Sequence, residues 1–156
     1  MPSVVISAIA ASHTYPLRSA VLRTGLPVST CIFAGDDAAT TYHYGAFVAQ
    51  QLVGIVSIYR VDNEELIAQQ ADFSWQLRAM ATHPQVRGRG VGKALVQHAL
   101  AQHGSSAPLW CNARSHACGF YQKLGFAGIG ASFEIPGVGP HLKMMFVEHS
   151  SGSAID

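Results

Sequence analysis

Three glycines at alternate positions, with basic residues around them, suit the binding of a phosphate group. They lie in residues 85–93, which read QVRGRGVGK. Glycine lets the backbone approach a ligand closely, and a helix that begins at such a turn offers unpaired N–H groups and partial positive charge. Arg87, Arg89 and Lys93 add full positive charges. We therefore predict a pyrophosphate-binding turn between a strand and a helix.

Two common phosphate-binding motifs do not fit these residues. A nucleotide P-loop needs its first glycine where Arg87 lies and a hydroxyl residue where Ala94 follows Lys93. A dinucleotide fingerprint needs its third glycine at Lys93 and an acid about 20 residues after the turn, where residues 109–111 are Leu-Trp-Cys. The turn is therefore neither of these nucleotide sites.

The segments on both sides of the turn must form the elements that position it. Residues 73–82 alternate apolar and polar side chains, which predicts a strand with two unlike faces. After the turn, apolar residues at helical spacing predict a helix that reaches about Gln102 and stops at Gly104. One strand face would hold Phe73, Trp75, Leu77, Ala79 and Ala81, and one helix stripe would hold Val91, Ala94, Leu95, Ala99 and Gln102.

The other elements follow from the same kinds of pattern. Strands are predicted at 4–10, 42–49, 52–61, 108–113, 126–135 and 141–148, with helices from Ser12 or Thr14 to Gly25 and at 116–124, and a polar excursion at 62–70. This order predicts one α/β (α+β) domain with a mixed sheet over residues 1–149. Residues 150–156 read as a flexible C-terminal tail.

Composition excludes several classes of protein. The 156 residues are 49% hydrophobic and 12% charged, and the net charge of +1 provides no field to recruit nucleic acid or a membrane. No apolar run approaches the roughly 18 residues of a membrane span, and the N-terminus does not resemble a signal peptide. Three cysteines without metal-type spacing indicate reduced thiols and no metal site. We therefore expect a cytoplasmic protein.

The sequence around the turn resembles the GNAT superfamily of N-acetyltransferases. Gln85, Gly88 and Gly90 form the pattern Q-x-x-G-x-G, which is similar to the acyl-CoA-binding motif of that family. The preceding LRAMATHP at 77–84 and the later FYQKLGF at 120–126 extend the resemblance, and EIP…PH near the end resembles an uncharacterised bacterial subgroup. The family's fold is a mixed, mostly antiparallel central sheet flanked by helices.

The resemblance implies acetyl-CoA as the cosubstrate, bound mainly by backbone groups. The glycine turn would hold its pyrophosphate, and the strand before the turn would pair with its pantetheine arm. One N–H of that strand would polarise the thioester carbonyl. The family often has an asparagine where Arg114 lies, so either Arg114 or Asn112 would contact CoA. The implied binding residues are Met80, Ala81, Thr82, Gln85, Arg87, Gly88, Arg89, Gly90, Val91, Gly92, Lys93, Asn112 and Tyr121.

Tyr121 occupies the position of the family tyrosine that protonates the departing thiolate, a role that a phenol with an ordinary pKa near 10 can perform. A core tyrosine is the alternative interpretation of this residue. The general base is not fixed by a motif. Glu134 and His141, which flank the last hairpin, are the leading candidates because the resemblance implies that their strands bracket the acceptor site, and a carboxylate or imidazole there could act through a water. The other candidates are Asp36, Asp37 and His43.

The resulting hypothesis is an N-acetyltransferase that moves acetyl from acetyl-CoA to a primary amine in a ternary complex. The acceptor would be a small molecule or a peptide, and Asp36, Asp37 and Glu134 hint that it is cationic. Arg78 is either a solvated strand residue or part of the acceptor cleft. The family permits a homodimer. The alternative function is a non-catalytic acyl-CoA-binding regulatory module on the same fold.

Overall fold

Seven strands form one sheet in the computed structural model, which describes residues 3–62 and 71–147. The strands are β1 (Val4–Ala8), β2 (Tyr42–Val48), β3 (Gln51–Val61), β4 (Ser74–Thr82), β5 (Leu109–Arg114), β6 (Phe126–Ile135) and β7 (Gly139–Phe146). Their spatial order is β1-β2-β3-β4-β5-β7-β6. All neighbours are antiparallel except β4 and β5, which confirms the predicted mixed, mostly antiparallel sheet. The predicted tail at 150–156 lies outside the described residues, as do residues 63–70 of the predicted excursion.

The described residues also form three helices: α1 (Tyr15–Leu17), α2 (Val91–His103) and α3 (Cys118–Lys123). A 3-10 turn at Ala11–Thr14 leads into α1, and a π-type turn at Arg18–Leu22 continues it. The predicted capping by Ser12 or Thr14 is wrong, because the Thr14 hydroxyl donates instead to the Ala11 carbonyl at 2.6 Å. Further 3-10 turns lie at Val28–Cys31, Pro84–Val86 and Ser115–Ala117.

Helix α2 packs against the sheet through one apolar face and begins at Gly90, whose φ is 82°. It ends as predicted at Gly104, whose amide donates to the Leu100 carbonyl at 2.8 Å. His103 is buried, and its Nε2 is satisfied there by a hydrogen bond with the Tyr44 hydroxyl at 2.8 Å. Of the predicted stripe, Val91, Leu95 and Ala99 are buried, Ala94 and Gln102 are not, and Val96 and His103 are buried instead.

A bulge in β4 sets the geometry of the middle of the sheet. Ser57 of β3 pairs with Arg78, whereas Ile55 pairs with Ala81. A shift of two residues along β3 therefore corresponds to a shift of three residues along β4, which contains one extra residue. Ala79 takes up the additional residue with a φ of 56°. A positive φ in a non-glycine residue costs about 1–2 kcal/mol, so the surrounding sheet must hold Ala79 in place.

The bulge also moves the later residues of β4 to the opposite face. Leu77 packs in the core cluster that contains Val91 and Leu95 of α2. Ala81 packs with Leu17 and Ile55 in a second cluster. The predicted period of two is therefore wrong beyond Leu77, because an extra residue in a strand reverses the side on which the next residues lie.

Strands β4 and β5 separate just before the bulge, after Leu77. Their parallel pairing covers Trp75 with Leu109, Gln76 with Trp110, and Leu77 with Cys111. Strand β5 continues to pair with β7 as far as Arg114. The sheet is therefore open between residues 78–82 of β4 and residues 112–114 of β5.

Candidate active site

A cavity of about 690 Å³ lies at the opening between β4 and β5. Its walls come from several separate parts of the chain. These are the turn after α1 with the loop that follows, the separating strands β4 and β5, helix α3, and the β6–β7 hairpin. Representative wall residues are Arg23, Phe33, Asn112, Tyr121 and Val138. The cavity therefore joins the segment predicted to bind CoA with segments for which no motif was found.

The predicted glycine turn adjoins this cavity through Arg87. Gly88 and Gly90 have φ values of 78° and 82°, a conformation that favours glycine. A Cβ atom added to either residue would have no heavy atom within 4 Å, so the space above both backbones is open to a ligand. The first N–H groups of α2 have no partner within the helix, and Arg87 lines the cavity beside them. The turn thus has the shape and charge required for a pyrophosphate.

The remaining predicted residues of the turn surround these groups. Gln85 is exposed, and its backbone N–H donates a hydrogen bond to His83 Nδ1 at 3.1 Å. Lys93 and Arg89 are exposed, whereas Val91 is buried in the core. A Cβ on Gly92 would only touch the Phe120 and Met80 side chains, at 3.4 and 3.5 Å. Gly92 therefore serves close packing of α2 rather than an unusual backbone conformation.

The backbone of β4 offers amides to the opening. Amides alternate in direction along an antiparallel strand. The His83 amide donates to the Val53 carbonyl of β3 at 2.7 Å, and Ala81 has the same orientation two residues earlier. The amides of Met80 and Thr82 therefore face the opening, where an extended ligand would pair with them.

Asn112 places an unsatisfied acceptor in the same opening. Its Oδ1 is buried and has no hydrogen-bond partner within the described part of the chain. Such a group destabilises the fold by roughly 1–3 kcal/mol unless a donor reaches it. An amide N–H of a bound pantetheine arm is such a donor. Arg114 lines the cavity as well, and the orphaned Oδ1 favours Asn112 of the two candidates. The residues present thus fit an acyl-CoA.

Tyr121 lies in the wall of the cavity between two other aromatic rings. Its ring centroid is 5.0 Å from that of Phe120 and 5.3 Å from that of Phe126. Burial, with a smaller contribution from Cys111, raises the pKa of its phenol well above the ordinary value. The hydroxyl is therefore protonated at physiological pH and can donate a hydrogen bond.

The structure separates the two leading candidates for the general base. His141 is buried, lines the cavity, and hydrogen-bonds through Nδ1 to the Gly139 carbonyl at 2.8 Å. A carbonyl only accepts, so Nδ1 carries the proton and the neutral ring has a bare Nε2 that can act as a base. Glu134 is exposed opposite Pro140 and is not part of the cavity wall.

Asp36, the third candidate, is held in a buried ion pair. Arg18 Nη1 lies 2.7 Å from its Oδ2, and the Tyr59 hydroxyl donates to its Oδ1 at 2.6 Å. Burial alone would raise the pKa of Asp36, but the hydrogen bonds from Arg18, Tyr59 and the Phe33 amide leave it below the ordinary value. Asp36 is thus a structural carboxylate.

His43 belongs to the same network. Its Nδ1 lies 2.7 Å from the Ser57 hydroxyl and its Nε2 lies 2.9 Å from the Asp36 carbonyl, while Asp37 is exposed. None of Asp36, Asp37 and His43 is part of the cavity wall.

One group of cavity residues has no sequence motif. The guanidinium groups of Arg23 and Arg78 lie 5.4 and 4.9 Å from the centre of the Phe33 ring, and all three residues line the cavity. Of the two interpretations of Arg78, a solvated strand residue or a residue of the cleft, its position in the cavity wall favours the cleft. Arg23 and Phe33 lie in irregular segments far from Arg78 in sequence, so no spacing could link them.

Two other classes of site find no support in residues 3–62 and 71–147. No cluster of three or more potential metal ligands occurs there. No helix among these residues is long and apolar enough to cross a membrane.

Comparison with known proteins agrees with this geometry. The family model described as an acetyltransferase (GNAT) domain matches residues 41–127, more than half of the chain. The uncharacterized N-acetyltransferase YitI of Bacillus subtilis (strain 168) is 34% identical over 142 residues, which cover 89% of this chain and 93% of that protein. Fold and relatives together define the class of the protein, an acyltransferase. More specifically, the chain belongs to the GNAT family of N-acetyltransferases.

Solved structures share the fold over nearly the whole chain. Escherichia coli ElaA superimposes with a TM-score of 0.72 at 21% identity, and covers 93% of this chain and 100% of its own. Arabidopsis thaliana NAA60, solved in complex with acetyl-CoA, gives a TM-score of 0.73 at 11% identity over 92% of this chain and 98% of its own.

Proposed function

We propose that the protein transfers an acetyl group from acetyl-CoA directly to a primary amine of a small molecule or peptide. The observation that carries this proposal is the opening between β4 and β5. Arg87 of the glycine turn lines it beside Gly88 and Gly90, whose positive φ leaves backbone donors for a pyrophosphate, and a protonated tyrosine, Tyr121, lies in its wall. Acetyl-CoA supplies the activated acetyl group as a thioester.

The backbone provides most of the proposed contacts to this cosubstrate. The amides of Met80 and Thr82 would pair with the pantetheine arm, with Ala81 between them, and Asn112 Oδ1 would accept from one of its amides. The turn from Arg87 to Lys93 would bind the pyrophosphate. The relation to the NAA60 fold, which is known with acetyl-CoA bound, supports this assignment.

The chemistry requires three functions from the protein. A β4 amide that faces the opening stabilises the negative charge that develops on the thioester oxygen. His141 Nε2, directly or through water, accepts a proton from the attacking amine. Tyr121 donates a hydrogen bond, and then its proton, to the departing thiolate, and the phenol at once regains a proton from water.

Direct transfer, without an acyl-enzyme, fits the state of the cysteine in the cavity. Cys111 lines the cavity, but burial raises the pKa of its thiol to about 12. Because the thiolate is the nucleophilic form, Cys111 is a poor acyl acceptor at neutral pH. All three cysteines are free, which supports a reducing, cytoplasmic location. The homodimer permitted by the family stays a prediction.

Initial-rate kinetics test the proposal. Thiol release is followed while acetyl-CoA and an amine from a broad panel are varied together. Direct transfer predicts intersecting double-reciprocal lines, whereas an acyl-enzyme predicts parallel lines. Calorimetry with CoA provides the companion measurement. Binding of CoA without turnover of any amine would instead identify a non-catalytic acyl-CoA-binding module.

A further inference from the structure

The cavity wall carries positive charge without a balancing carboxylate. Arg23, Arg78, Arg87 and Arg114 line it, and no aspartate or glutamate occurs among the described residues of the wall. Arg87 lies beside the glycine turn, where the phosphates of the cosubstrate would neutralise it. Arg23 and Arg78 lie in another part of the wall, and the cosubstrate's phosphates do not account for them.

Arg23 and Arg78 converge on a single aromatic ring. Both guanidinium groups lie within 6 Å of the centre of Phe33, and both residues are half-buried. Among the described residues, no carboxylate oxygen lies within 4 Å of the Arg23 or Arg78 guanidinium group. The ion pair observed in these residues is that between Arg18 and Asp36. Arg18 also lies against Phe33, at 4.2 Å, but Asp36 neutralises it. The two unbalanced charges of this cluster are therefore Arg23 and Arg78.

Two half-buried cations that share a ring repel each other unless an anion lies between them. The planar guanidinium group matches the geometry of a carboxylate or a phosphate and binds either through paired hydrogen bonds. Arg78 also directly precedes the bulge at Ala79, so it lies next to the β4 amides that would face the thioester. An anion held here would belong to the molecule that receives the acetyl group.

We propose that Arg23 and Arg78 form a binding subsite for an anionic group of the acceptor. This inference rests on the proposed function and narrows it: the acceptor is a small amine that also carries a carboxylate or a phosphate. The three acids that hinted at a cationic acceptor lie elsewhere: Asp36 is paired with Arg18, and Asp37 and Glu134 do not line the cavity.

The subsite also bears on how the amine loses its proton. A nearby positive charge disfavours the ammonium form and lowers the pKa of an amine. An acceptor held beside Arg78 therefore carries a larger fraction of the nucleophilic neutral amine. This accounts for a cavity in which His141, and no carboxylate of the described wall, is available as a base.

Matched amine pairs test the subsite. The panel consists of the L-amino acids against their amides, and O-phosphoethanolamine against ethanolamine, with the polyamine spermidine as a cationic probe. Thiol release at saturating acetyl-CoA gives kcat and KM for each amine. Calorimetry of the same amines with the CoA-loaded protein gives affinities that do not depend on turnover. The variants are Arg23→Gln and Arg78→Gln. The control is Arg60→Gln, whose guanidinium stacks on Phe73 outside the cavity.

We expect at least one anionic amine to be preferred about tenfold or more over its neutral partner. Arg23→Gln and Arg78→Gln should each raise its KM and Kd about tenfold, with little effect on the neutral partner or on CoA. Arg60→Gln should change neither. If Arg78→Gln does not fold, as judged by thermal melting, Arg78→Lys and Arg23→Gln carry the test.

Three results would overturn the subsite: equal use of both members of every pair, equal loss of both members in the variants, or no saturable binding of any anionic amine. Selective binding of an anion without turnover would keep the subsite and reject the transferase. Turnover without selectivity would keep the transferase and reject the subsite.

Discussion

The two halves of the cavity are built in different ways. The proposed donor half lies mainly in residues 80–93, one continuous segment that would act through backbone amides and glycine conformation, with Asn112 and Tyr121 beside it. The acceptor half combines Arg23, Phe33, Arg78 and His141, whose side chains come from four separated positions. A backbone site tolerates many side chains but requires a local pattern. A site made of side chains has no local pattern in the sequence, because its residues come together only when the chain folds.

The halves also differ in what supports them. The donor half lies on β4 and α2, which belong to the main core cluster. The acceptor half depends on Arg18, which is fully buried and joins the Cys31 carbonyl, Asp36 and Ser57. One charged network therefore supports the acceptor half, and its loss should affect that half first.

Asp36→Asn should have the largest effect on stability. It leaves Arg18 buried without a counter-charge, which costs about 3–5 kcal/mol. The lowered pKa of Asp36 means that its contribution is complete above the pKa of the unfolded chain and is lost as pH falls through the folded value. Denaturant unfolding across pH 3 to 7 measures this. Asp37→Asn, at the exposed neighbour, is the control, and equal loss in both variants would contradict the account.

Tyr121→Phe should reduce kcat by about 100-fold, equivalent to roughly 2.7 kcal/mol, because the departing thiolate loses its donor. Affinity for CoA should not change, since the ring is kept. The raised pKa of Tyr121 also predicts that ionisation of this phenol causes no loss of activity below about pH 10. Tyr42→Phe, outside the cavity, serves as the control. An unchanged kcat in Tyr121→Phe would show that Tyr121 is a core tyrosine without a catalytic role.

His141→Gln should lower kcat/KM about tenfold near neutral pH, less than a full general base contributes, because water can still accept the proton. The side-chain amide of glutamine can still donate to the Gly139 carbonyl, so the hairpin is kept. His13→Gln is the matched control. An unchanged kcat/KM in His141→Gln would assign the base elsewhere.

Gly90→Ala should have the smallest of these effects and should act on the donor half alone. At a φ of 82° an alanine costs about 1–2 kcal/mol, and its methyl group enters the space assigned to a phosphate. We expect CoA affinity to fall about tenfold in calorimetry. Gly119→Ala also meets no atom within 4 Å but lies in α3 without a positive φ. It should leave affinity unchanged and slightly raise stability.

The conformation of the glycine turn and the helix after it could be predicted from the sequence for a physical reason. Glycines at Gly88 and Gly90 are required by the local backbone, and the helix after them follows a local apolar period. The same logic failed at β4, because Ala79 adopts a conformation that nothing in its residue type indicates. The alternation predicted for β4 is correct up to Leu77 and wrong after it.

The acceptor half was predicted only in fragments. His141 and Arg78 were recognised as candidates, and Asp36 was one of the lesser candidates for the base, whereas Arg18 holds it as a structural ion. Arg18 carried no signal, because a basic residue in a helical segment ordinarily faces solvent. Only tertiary packing brings Arg18, Arg23 and Arg78 to the ring of Phe33, and among the described residues neither Arg23 nor Arg78 forms an ion pair.

Amide NMR during a titration with CoA tests the central claim most directly. The account predicts that the largest shifts occur at Met80, at Thr82 and in residues 88–93, with a further shift in the side-chain amide of Asn112. The amides of Arg18 and Asp36, beneath the acceptor half, should change little. Shifts centred on the acceptor half, or absent from the opening between β4 and β5, would contradict the account.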